Sequence, residues 1–123
     1  MPNILVVDDE KDIQNLAKVI LEAESYEVST ASNGEEALAL IEKNHFDLIL
    51  LDVVMQHTDG LEVCRKIRRT KRTKNTLVIM FSGLGKGVDT MLDENEKADD
   101  YLEKPFDRKS LLEKVNALLK KNR

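Results

Sequence analysis

Cysteine, proline and tryptophan are scarce in this chain of 123 residues: it has one cysteine, two prolines and no tryptophan. The single Cys64 excludes an internal disulfide and a metal site built from cysteines, and its place on an apolar helical stripe predicts a buried thiol. No apolar run approaches the roughly 20 residues of a membrane-spanning helix. The N-terminus also lacks the basic start and long apolar run of a signal peptide. We therefore expect a cytoplasmic protein with no membrane partner.

A large excess of one charge sign is also missing. The chain has 19 basic and 23 acidic residues, for a net charge of −4, so the overall balance does not indicate nucleic-acid binding. Charged residues make up 34% and hydrophobic residues 41% of the sequence, as in ordinary globular proteins. This length predicts a single domain over residues 1–123. The sequence shows no internal repeats and no linker.

Strand and helix patterns alternate along the sequence. Five short runs are typical of strands, three of them wholly apolar or nearly so: residues 4–7, 27–30, 46–52, 77–81 and 101–103. Each is followed by apolar residues at helical spacing, within residues 13–21, 37–41, 61–67, 88–96 and 111–119. Capping boxes at Ser32-Asn33 and at Asp59 open the second and third helices, and Asp107 caps the last. Five strand–helix units predict an α/β fold with a parallel sheet covered on both faces.

Chemically active side chains follow four of the predicted strands. Asp8 and Asp9 come after the first strand, Asp52 ends the third, Ser82 follows the fourth and Lys104 follows the fifth. The carboxyl ends of parallel strands meet at one edge of a sheet, where α/β proteins bind ligands. We therefore expect these five side chains to converge.

Three carboxylates at one edge repel each other unless a cation joins them. Oxygen ligands of this kind suit Mg²⁺, which accepts one or two carboxylates together with a phosphate oxygen. Lys104 would supply a second positive contact to a transferring phosphoryl group and Ser82 a hydrogen bond. Asp52 is then placed to be the nucleophile that accepts this group. The alternative is an acidic edge that is salt-bridged to Lys104 and has no such chemistry.

Several stretches occur in an order and at separations typical of a known family: VVDDE, LLDVVM, DGLEVCRKIR, FSG and ADDYLEKPF. As a set they resemble the response-regulator receiver domain of two-component signalling, including the chemotaxis regulators. The resemblance covers the whole chain. It implies a flavodoxin-like, doubly wound (βα)5 fold with five parallel strands.

The resemblance also implies roles for residues at the predicted site. Asp52 would be the phosphoacceptor, and Asp9 and Asp52 would bind Mg²⁺ directly. Asp8 would act mainly through a metal-bound water, and the backbone carbonyl of Val54 would be a further ligand. Lys104 would contact the phosphoryl group.

A switch is implied as well. Ser82 and Tyr101 would form the switch pair, and the Lys104-Pro105 peptide would be cis. We assign Gly83, Tyr101 and Pro105 to cofactor binding around the same site. Phosphorylation adds charge and acceptors that would draw the Ser82 hydroxyl inward, so that Tyr101 turns in and changes the face made by the predicted fourth helix, fifth strand and fifth helix.

The implied function is to accept a phosphoryl group from a sensor histidine kinase or phosphotransfer protein and to bind a downstream protein through that face. We expect a monomer or a weak, phosphorylation-dependent dimer, no direct contact with nucleic acid, and no enzymatic activity beyond its own phosphorylation and dephosphorylation. Two alternatives stay open: an N-terminal receiver fragment of a longer regulator, and a phosphate-independent interaction module. A haloacid-dehalogenase-type Mg²⁺ phosphatase would need an acid where the chain has Val54. A flavodoxin-type FMN protein would need a phosphate loop where Asp8, Asp9 and Glu10 stand.

The chain departs from the family pattern at several positions. Gln56 replaces the usual proline and His57 follows it, so we expect the loop over the site to differ in shape from that of the family, and Lys97 replaces a common glycine. Val54 and Leu84 occupy the positions that modulate phosphate lifetime in the family. Both are apolar and cannot orient an attacking water, so we expect slow self-dephosphorylation, which a half-life of seconds would contradict.

Basic residues crowd the end of the third predicted helix and the loop after it: Arg65, Lys66, Arg68, Arg69, Lys71, Arg72 and Lys74. No aromatic residues interleave with them, as they would in many nucleic-acid-binding surfaces. We expect a solvated face, with an acidic protein partner as the second interpretation.

Overall fold

Five parallel strands form the central sheet of this computed structural model, which describes residues 1–55, 58–82 and 92–121. In chain order they are β1 (Asn3–Val7), β2 (Glu27–Ala31), β3 (Leu48–Asp52), β4 (Leu77–Ser82) and β5 (Asp100–Glu103). Their spatial order is β2-β1-β3-β4-β5, and every neighbouring pair is parallel. The α/β class and the flavodoxin-like parallel sheet expected from the sequence are confirmed.

Within the described residues, four α-helices cover the sheet: α1 (Lys11–Glu22), α2 (Gly34–Lys43), α3 (Gly60–Arg69) and α4 (Arg108–Lys121). Two-residue strands, Val54–Met55 and Thr58–Asp59, form a short antiparallel ribbon between β3 and α3. None of the helices in the described part of the chain is long and apolar enough to span a membrane.

Successive residues of the strands pack into two different apolar layers. On one face, Leu5, Ile49 and Val78 belong to a cluster shared with α2 and α3. On the other face, Ile4 and Leu50 belong to a cluster shared with α1 and α4. Because side chains alternate across a strand, a strand that is buried on both faces must be apolar at almost every position. This explains the uninterrupted apolar runs in the sequence.

The predicted third strand begins two residues too early. Asp47 precedes the observed strand, and its carboxylate accepts a hydrogen bond from the backbone N–H of Asn3 at 2.7 Å. The Asp47 N–H in turn donates to the Asn3 carbonyl at 2.8 Å. The exchange ties the entry of β3 to the start of β1, so that the strand begins at Leu48.

Helix starts agree with the predicted caps, with one correction. Asn33 accepts from the Glu36 N–H at 2.8 Å, and the Glu36 carboxylate accepts from the Ser32 N–H at 2.8 Å. Asp59 caps α3 by accepting from the Leu61 N–H at 2.9 Å. The second half of that capping box is wrong, because the Glu62 carboxylate pairs with Arg65 at 2.5 Å instead.

The predicted helix over residues 88–96 lies partly outside the described residues, since the description resumes at Leu92. The described remainder contains one 3-10 turn, Glu94–Glu96. Lys97, which stands where the family commonly has glycine, has φ −76° and ψ 160°. Any residue adopts this extended conformation, so the turn into β5 does not require a glycine there.

The basic stretch after α3 is only partly a solvated face. Arg68 has a side chain that is 6% exposed and forms an ion pair with Asp99 at 2.8 Å. Its guanidinium also donates to the carbonyls of Lys97, Lys74 and Thr76 at 2.5–3.1 Å. The expectation of a solvated face is therefore wrong for Arg68, because it joins the ends of α3, β4 and β5.

Three other arginines of this stretch also have partners within the chain. Arg65 and Arg69 form ion pairs with Glu96, and Arg72 donates to the carbonyl of Ile41 at the end of α2. The Arg69 hydrogen bond is the main reason that the pKa of Glu96 lies below its usual value. These contacts hold the 3-10 turn and α2 against α3.

Candidate functional site

The carboxyl edge of the sheet brings the predicted residues together. Asp52 is the last residue of β3 and is 2% exposed, and Ser82 is the last residue of β4 and is 4% exposed. Lys104 directly follows β5, and its N–H donates to the Ser82 carbonyl at 3.2 Å. The register pairs Asp52 with Phe81 and Ser82 with Glu103, so the three strands end side by side.

Lys104 lies between two buried carboxylates. Its Nζ is 2.8 Å from Asp8 Oδ2 and 3.2 Å from Asp52 Oδ2. The ammonium group also lies 5.0 Å from the centre of the Phe81 ring, at a distance where the aromatic face attracts a cation. Phe106 packs edge-on against Phe81 with ring centres 6.1 Å apart. These contacts hold the lysine head group in the site.

Asp8 is completely buried, and both of its carboxylate oxygens are directed to specific positions. Oδ1 accepts from the Glu10 N–H at 2.8 Å. Oδ2 forms the ion pair with Lys104 but has no hydrogen bond of acceptable geometry to any described residue. A buried oxygen in this state costs free energy unless a further positive group satisfies it. Asp8 Oδ2 is thus an available ligand atom.

Burial and charge change the acidity of this site. Burial, followed by the repulsion of Asp8, raises the pKa of Asp52 from 3.8 to about 6. Lys104 and the Val54 N–H, which donates to Asp52 Oδ1 at 3.2 Å, only partly oppose this rise. Burial alone would lower the pKa of Lys104, but the close approach of Asp8 Oδ2 and the negative charges of Asp8 and Asp52 raise it above its usual value. Lys104 therefore stays charged at neutral pH.

Three acids are close enough together to share a cation. Carboxylate oxygens of Asp8, Asp9 and Glu10 all lie within 4.8 Å of one another. Oxygen ligands and the available Asp8 Oδ2 fit a hard divalent cation such as Mg²⁺. Asp52 is not part of this cluster and is connected to it through Lys104. Glu10 was not among the predicted ligands, although its place directly after Asp8 and Asp9 was a usable signal.

The loop after β3 is held close to Asp52 by the start of α3. The Gly60 N–H donates to the Val53 carbonyl at 2.9 Å. A Cβ atom at Gly60 would lie 2.2 Å from the Asp52 carbonyl oxygen, so only glycine fits without displacement. The side chain of Val54 is exposed. Gly60 is a second residue whose importance was not foreseen from the sequence.

The remaining predicted site residues have different outcomes. Tyr101 is half-buried in β5, opposite Met80, and packs on the layer shared with α2 and α3. The Lys104-Pro105 peptide is cis, as the resemblance implied. Gly83, Gln56, His57 and Leu84 lie outside the described residues.

Together, the doubly wound sheet and its edge define a class: α/β proteins that gather acids, a lysine and a hydroxyl where the parallel strands end. The sequence profile of the response regulator receiver domain matches residues 4–116. The chain belongs to this family of two-component signalling domains, which confirms the resemblance. Its members are signalling domains, and the roles of individual residues in this chain stay predictions.

Curated relatives are similar over nearly the whole chain but are longer. The chain is 40% identical to the DNA-binding dual master transcriptional regulator RpaA of Synechocystis over 121 residues, which cover 98% of the chain and 50% of RpaA. It is 42% identical to the transcriptional regulatory protein ResD of Bacillus subtilis over 118 residues, 96% of the chain and 48% of ResD. The chain thus spans about half the length of these relatives.

Solved structures of receiver proteins have the same fold. A CheY-like receiver domain protein from Methanospirillum hungatei is 35% identical, with a TM-score of 0.89 over 98% of this chain and 95% of that one. The response regulator TrrA from Thermotoga maritima, in complex with Mg²⁺ and BeF, is 41% identical, with a TM-score of 0.83 over 96% and 99% of the two chains.

Proposed function

We propose that this chain, as a single receiver domain over residues 1–123, accepts a phosphoryl group on Asp52 from a histidine kinase or phosphotransfer protein. The observation that carries the proposal is the geometry of Lys104, whose Nζ contacts both Asp52 at 3.2 Å and Asp8 at 2.8 Å. A buried nucleophile, a fixed cation and an acidic cluster at one sheet edge are the parts that phosphoryl transfer to a carboxylate needs.

The chemistry proposed for Asp52 is a displacement at phosphorus. One carboxylate oxygen attacks the phosphorus of a phosphohistidine, an O–P bond forms, and the P–N bond breaks with its electron pair returning to the imidazole. The Val54 N–H on Asp52 Oδ1 fixes the rotation of the carboxylate. Lys104 then compensates negative charge on the transferring group.

Mg²⁺ is the proposed cofactor, and when bound it would reduce the repulsion between the carboxylates and the incoming phosphoryl group. Asp8, Asp9 and Asp52 are the proposed acidic ligands, with the Val54 carbonyl as the additional one and Glu10 now a further candidate. The related regulator TrrA was solved in complex with Mg²⁺ and BeF, which supports this choice of cation.

The proposed output is a change of surface rather than catalysis on another molecule. Ser82 ends β4 beside the end of β3, and Tyr101 lies on the next strand, β5. A phosphoryl group on Asp52 would attract the Ser82 hydroxyl, and the Tyr101 side chain would then turn inward. A downstream protein in the cytoplasm would recognise the altered face around β5 and α4, with the domain a monomer or a weak phosphorylation-dependent dimer.

Intact mass spectrometry tests this proposal. The protein is incubated with acetyl phosphate, with Mg²⁺ or with a chelator, as the wild type, as Asp52→Ala and as Asp47→Asn. Asp47 is the matched control because it precedes the same strand at the opposite edge of the sheet. We expect one phosphoryl adduct that needs Mg²⁺, persists in Asp47→Asn and is lost in Asp52→Ala. An unmodified wild type under saturating donor would favour a phosphate-independent interaction module.

A second candidate is the receiver part of a longer regulator. The chain covers only 48–50% of RpaA and ResD, whose names describe transcriptional regulators. In that case the face around β5 and α4 would act on an attached output domain, and any DNA contact would belong to that domain. Detection of a native polypeptide of about 123 residues would count against this candidate.

A further inference from the structure

Gln14 is a buried amide on the core face of α1. It is 2% exposed, and few other polar side chains in the described part of the protein are buried. Its neighbours one and two turns along the same face, Ala17 and Leu21, are apolar and buried. Burial of an amide among apolar residues costs free energy unless the amide is hydrogen-bonded, so its partners are informative.

The amide of Gln14 reaches the carboxyl ends of two strands. Its Nε2 donates to the Asp8 carbonyl at 2.6 Å and to the Ser32 hydroxyl at 3.1 Å, with the Ala31 carbonyl at 3.4 Å. Asp8 follows β1, and Ala31 and Ser32 end and follow β2. One side chain therefore joins α1 to both strand ends next to the acidic cluster.

The contact at the Asp8 carbonyl completes a set of restraints on this residue. The Asp8 N–H donates to the Ala31 carbonyl at 3.0 Å. Its Oδ1 accepts from the Glu10 N–H, and its Oδ2 lies against Lys104. Gln14 thus fixes the remaining backbone group of Asp8, immediately before the turn that carries Asp9 and Glu10.

We propose that Gln14 is a positioning residue for the acidic turn, holding Asp8, Asp9 and Glu10 in the arrangement that binds a divalent cation. The inference rests on the proposed function, since it concerns the same site. Groups that orient metal ligands through hydrogen bonds contribute to affinity without touching the metal. If Gln14 had a purely structural role, its amide would need only hydrogen-bond partners inside the core. Removing the amide would then lower the stability of the protein but not its affinity for Mg²⁺.

The test compares Mg²⁺ affinity with stability. Gln14→Met keeps the length of the side chain and removes both donors, while Ile20→Val and Ile20→Ala truncate another buried residue of α1 that is not in the site. The dissociation constant for Mg²⁺ is measured by calorimetry and the melting temperature by circular dichroism. We expect Gln14→Met to weaken Mg²⁺ binding by about tenfold. The Ile20 variant with the nearest melting temperature should bind as the wild type does.

Two results would overturn the inference. One is a folded Gln14→Met protein that binds Mg²⁺ within about twofold of the wild type, well below the tenfold loss expected for a positioning group. The other is an equal loss of affinity in the Ile20 variant of matched stability.

Hydrogen exchange in the metal-free protein separates this inference from the proposed function. The Glu10 N–H donates to Asp8 Oδ1, so its exchange reports the order of the turn without any metal. Exchange should be faster in Gln14→Met than in the matched Ile20 variant, and equal rates would contradict the inference. This comparison stands even if the wild type binds no Mg²⁺, a result that would count against the proposed function only.

If Gln14→Met does not fold, nuclear magnetic resonance of the wild type decides. The side-chain NH₂ protons of Gln14 should exchange slowly with solvent and shift when Mg²⁺ is added. Fast exchange, or signals that Mg²⁺ leaves unmoved, would overturn the inference.

Discussion

Asp52 and Asp8 are buried carboxylates that share one cation, the ammonium of Lys104. Two negative charges beside one positive charge leave an excess of negative charge in a place with little water. Burial is the main cause of the raised pKa of Asp52, and the charge of Asp8 is the second. The excess negative charge therefore destabilises the metal-free site, and a cation that neutralises it will bind there favourably.

Asp52→Asn should stabilise the metal-free protein at neutral pH. Because the pKa of Asp52 is raised from 3.8 to about 6 in the folded state, its ionised form favours unfolding above pH 6, and this penalty fades as the pH falls from 6 toward 3.8. A shift of about two pKa units corresponds to at most about 3 kcal/mol. We expect a gain of about 1–3 kcal/mol at about pH 8 and under about 1 kcal/mol at about pH 4.

Urea unfolding with a chelator present measures this difference. Asp47→Asn is the control, because Asp47 bonds to the Asn3 N–H at the other end of the strand and should show no such gain. A lower free energy of unfolding for Asp52→Asn at about pH 8 would contradict the electrostatic account of the site.

Gly60→Ala should damage the site through the backbone. The new Cβ would lie 2.2 Å from the Asp52 carbonyl oxygen and 2.6 Å from Val53 Cα, so the chain beside Asp52 must move. Overpacking of this kind costs about 1–3 kcal/mol. We expect a lower melting temperature and slower phosphorylation by acetyl phosphate.

Leu61→Ala is the control for Gly60→Ala, because it shortens a half-buried side chain in the same first turn of α3. It should lower the melting temperature but leave the rate of phosphorylation near that of the wild type. Unchanged phosphorylation in Gly60→Ala would mean that the backbone beside Asp52 adapts without cost.

At the scale of the elements, the sequence predicted strands and helix starts best where a single physical requirement determines which residue type stands at a position. Strands buried on both faces require apolar runs, and side-chain caps require Asn33, Asp59 and Asp107 where they stand. Competition between partners was harder to foresee. Glu62 pairs with Arg65 instead of closing a capping box, and Asp47 bonds to β1 instead of extending β3.

The turn between α1 and β2 contains a strained residue. Ser25 has a φ of 70°, in the left-handed region that favours glycine. Ser25→Gly relieves this strain but also makes the unfolded chain more flexible. We expect a net stabilisation of about 0.5–1 kcal/mol.

Thermal or urea unfolding of Ser25→Gly tests the prediction. Lys18→Gly is the control, since an exposed position inside α1 should lose up to about 1 kcal/mol from the same replacement. If both variants are destabilised by similar amounts, the left-handed conformation of Ser25 carries no measurable strain.

At the scale of the whole molecule, the parallel topology of the sheet forms the site by placing the carboxyl ends of its strands at one edge. Asp8, Asp52, Ser82 and Lys104 are far apart in sequence, yet each follows or ends a strand, so their convergence could be predicted once the strands were recognised. Glu10 directly follows Asp8 and Asp9 and could have been chosen from the sequence, but Gln14 and Gly60 could not. Their contributions depend on particular distances to Asp8 and Asp52, which no local pattern encodes.

The central claim is that Asp52 is the phosphoacceptor of this receiver domain, and locating the phosphoryl group on the chain tests it most directly. The wild type is treated with acetyl phosphate and Mg²⁺, the acyl phosphate is reduced with borohydride, and the modified residue is identified by tandem mass spectrometry. The account predicts homoserine at Asp52 and at no other aspartate, and only when Mg²⁺ was present. Modification at Asp8 or Asp9, or at Asp52 without Mg²⁺, would contradict it.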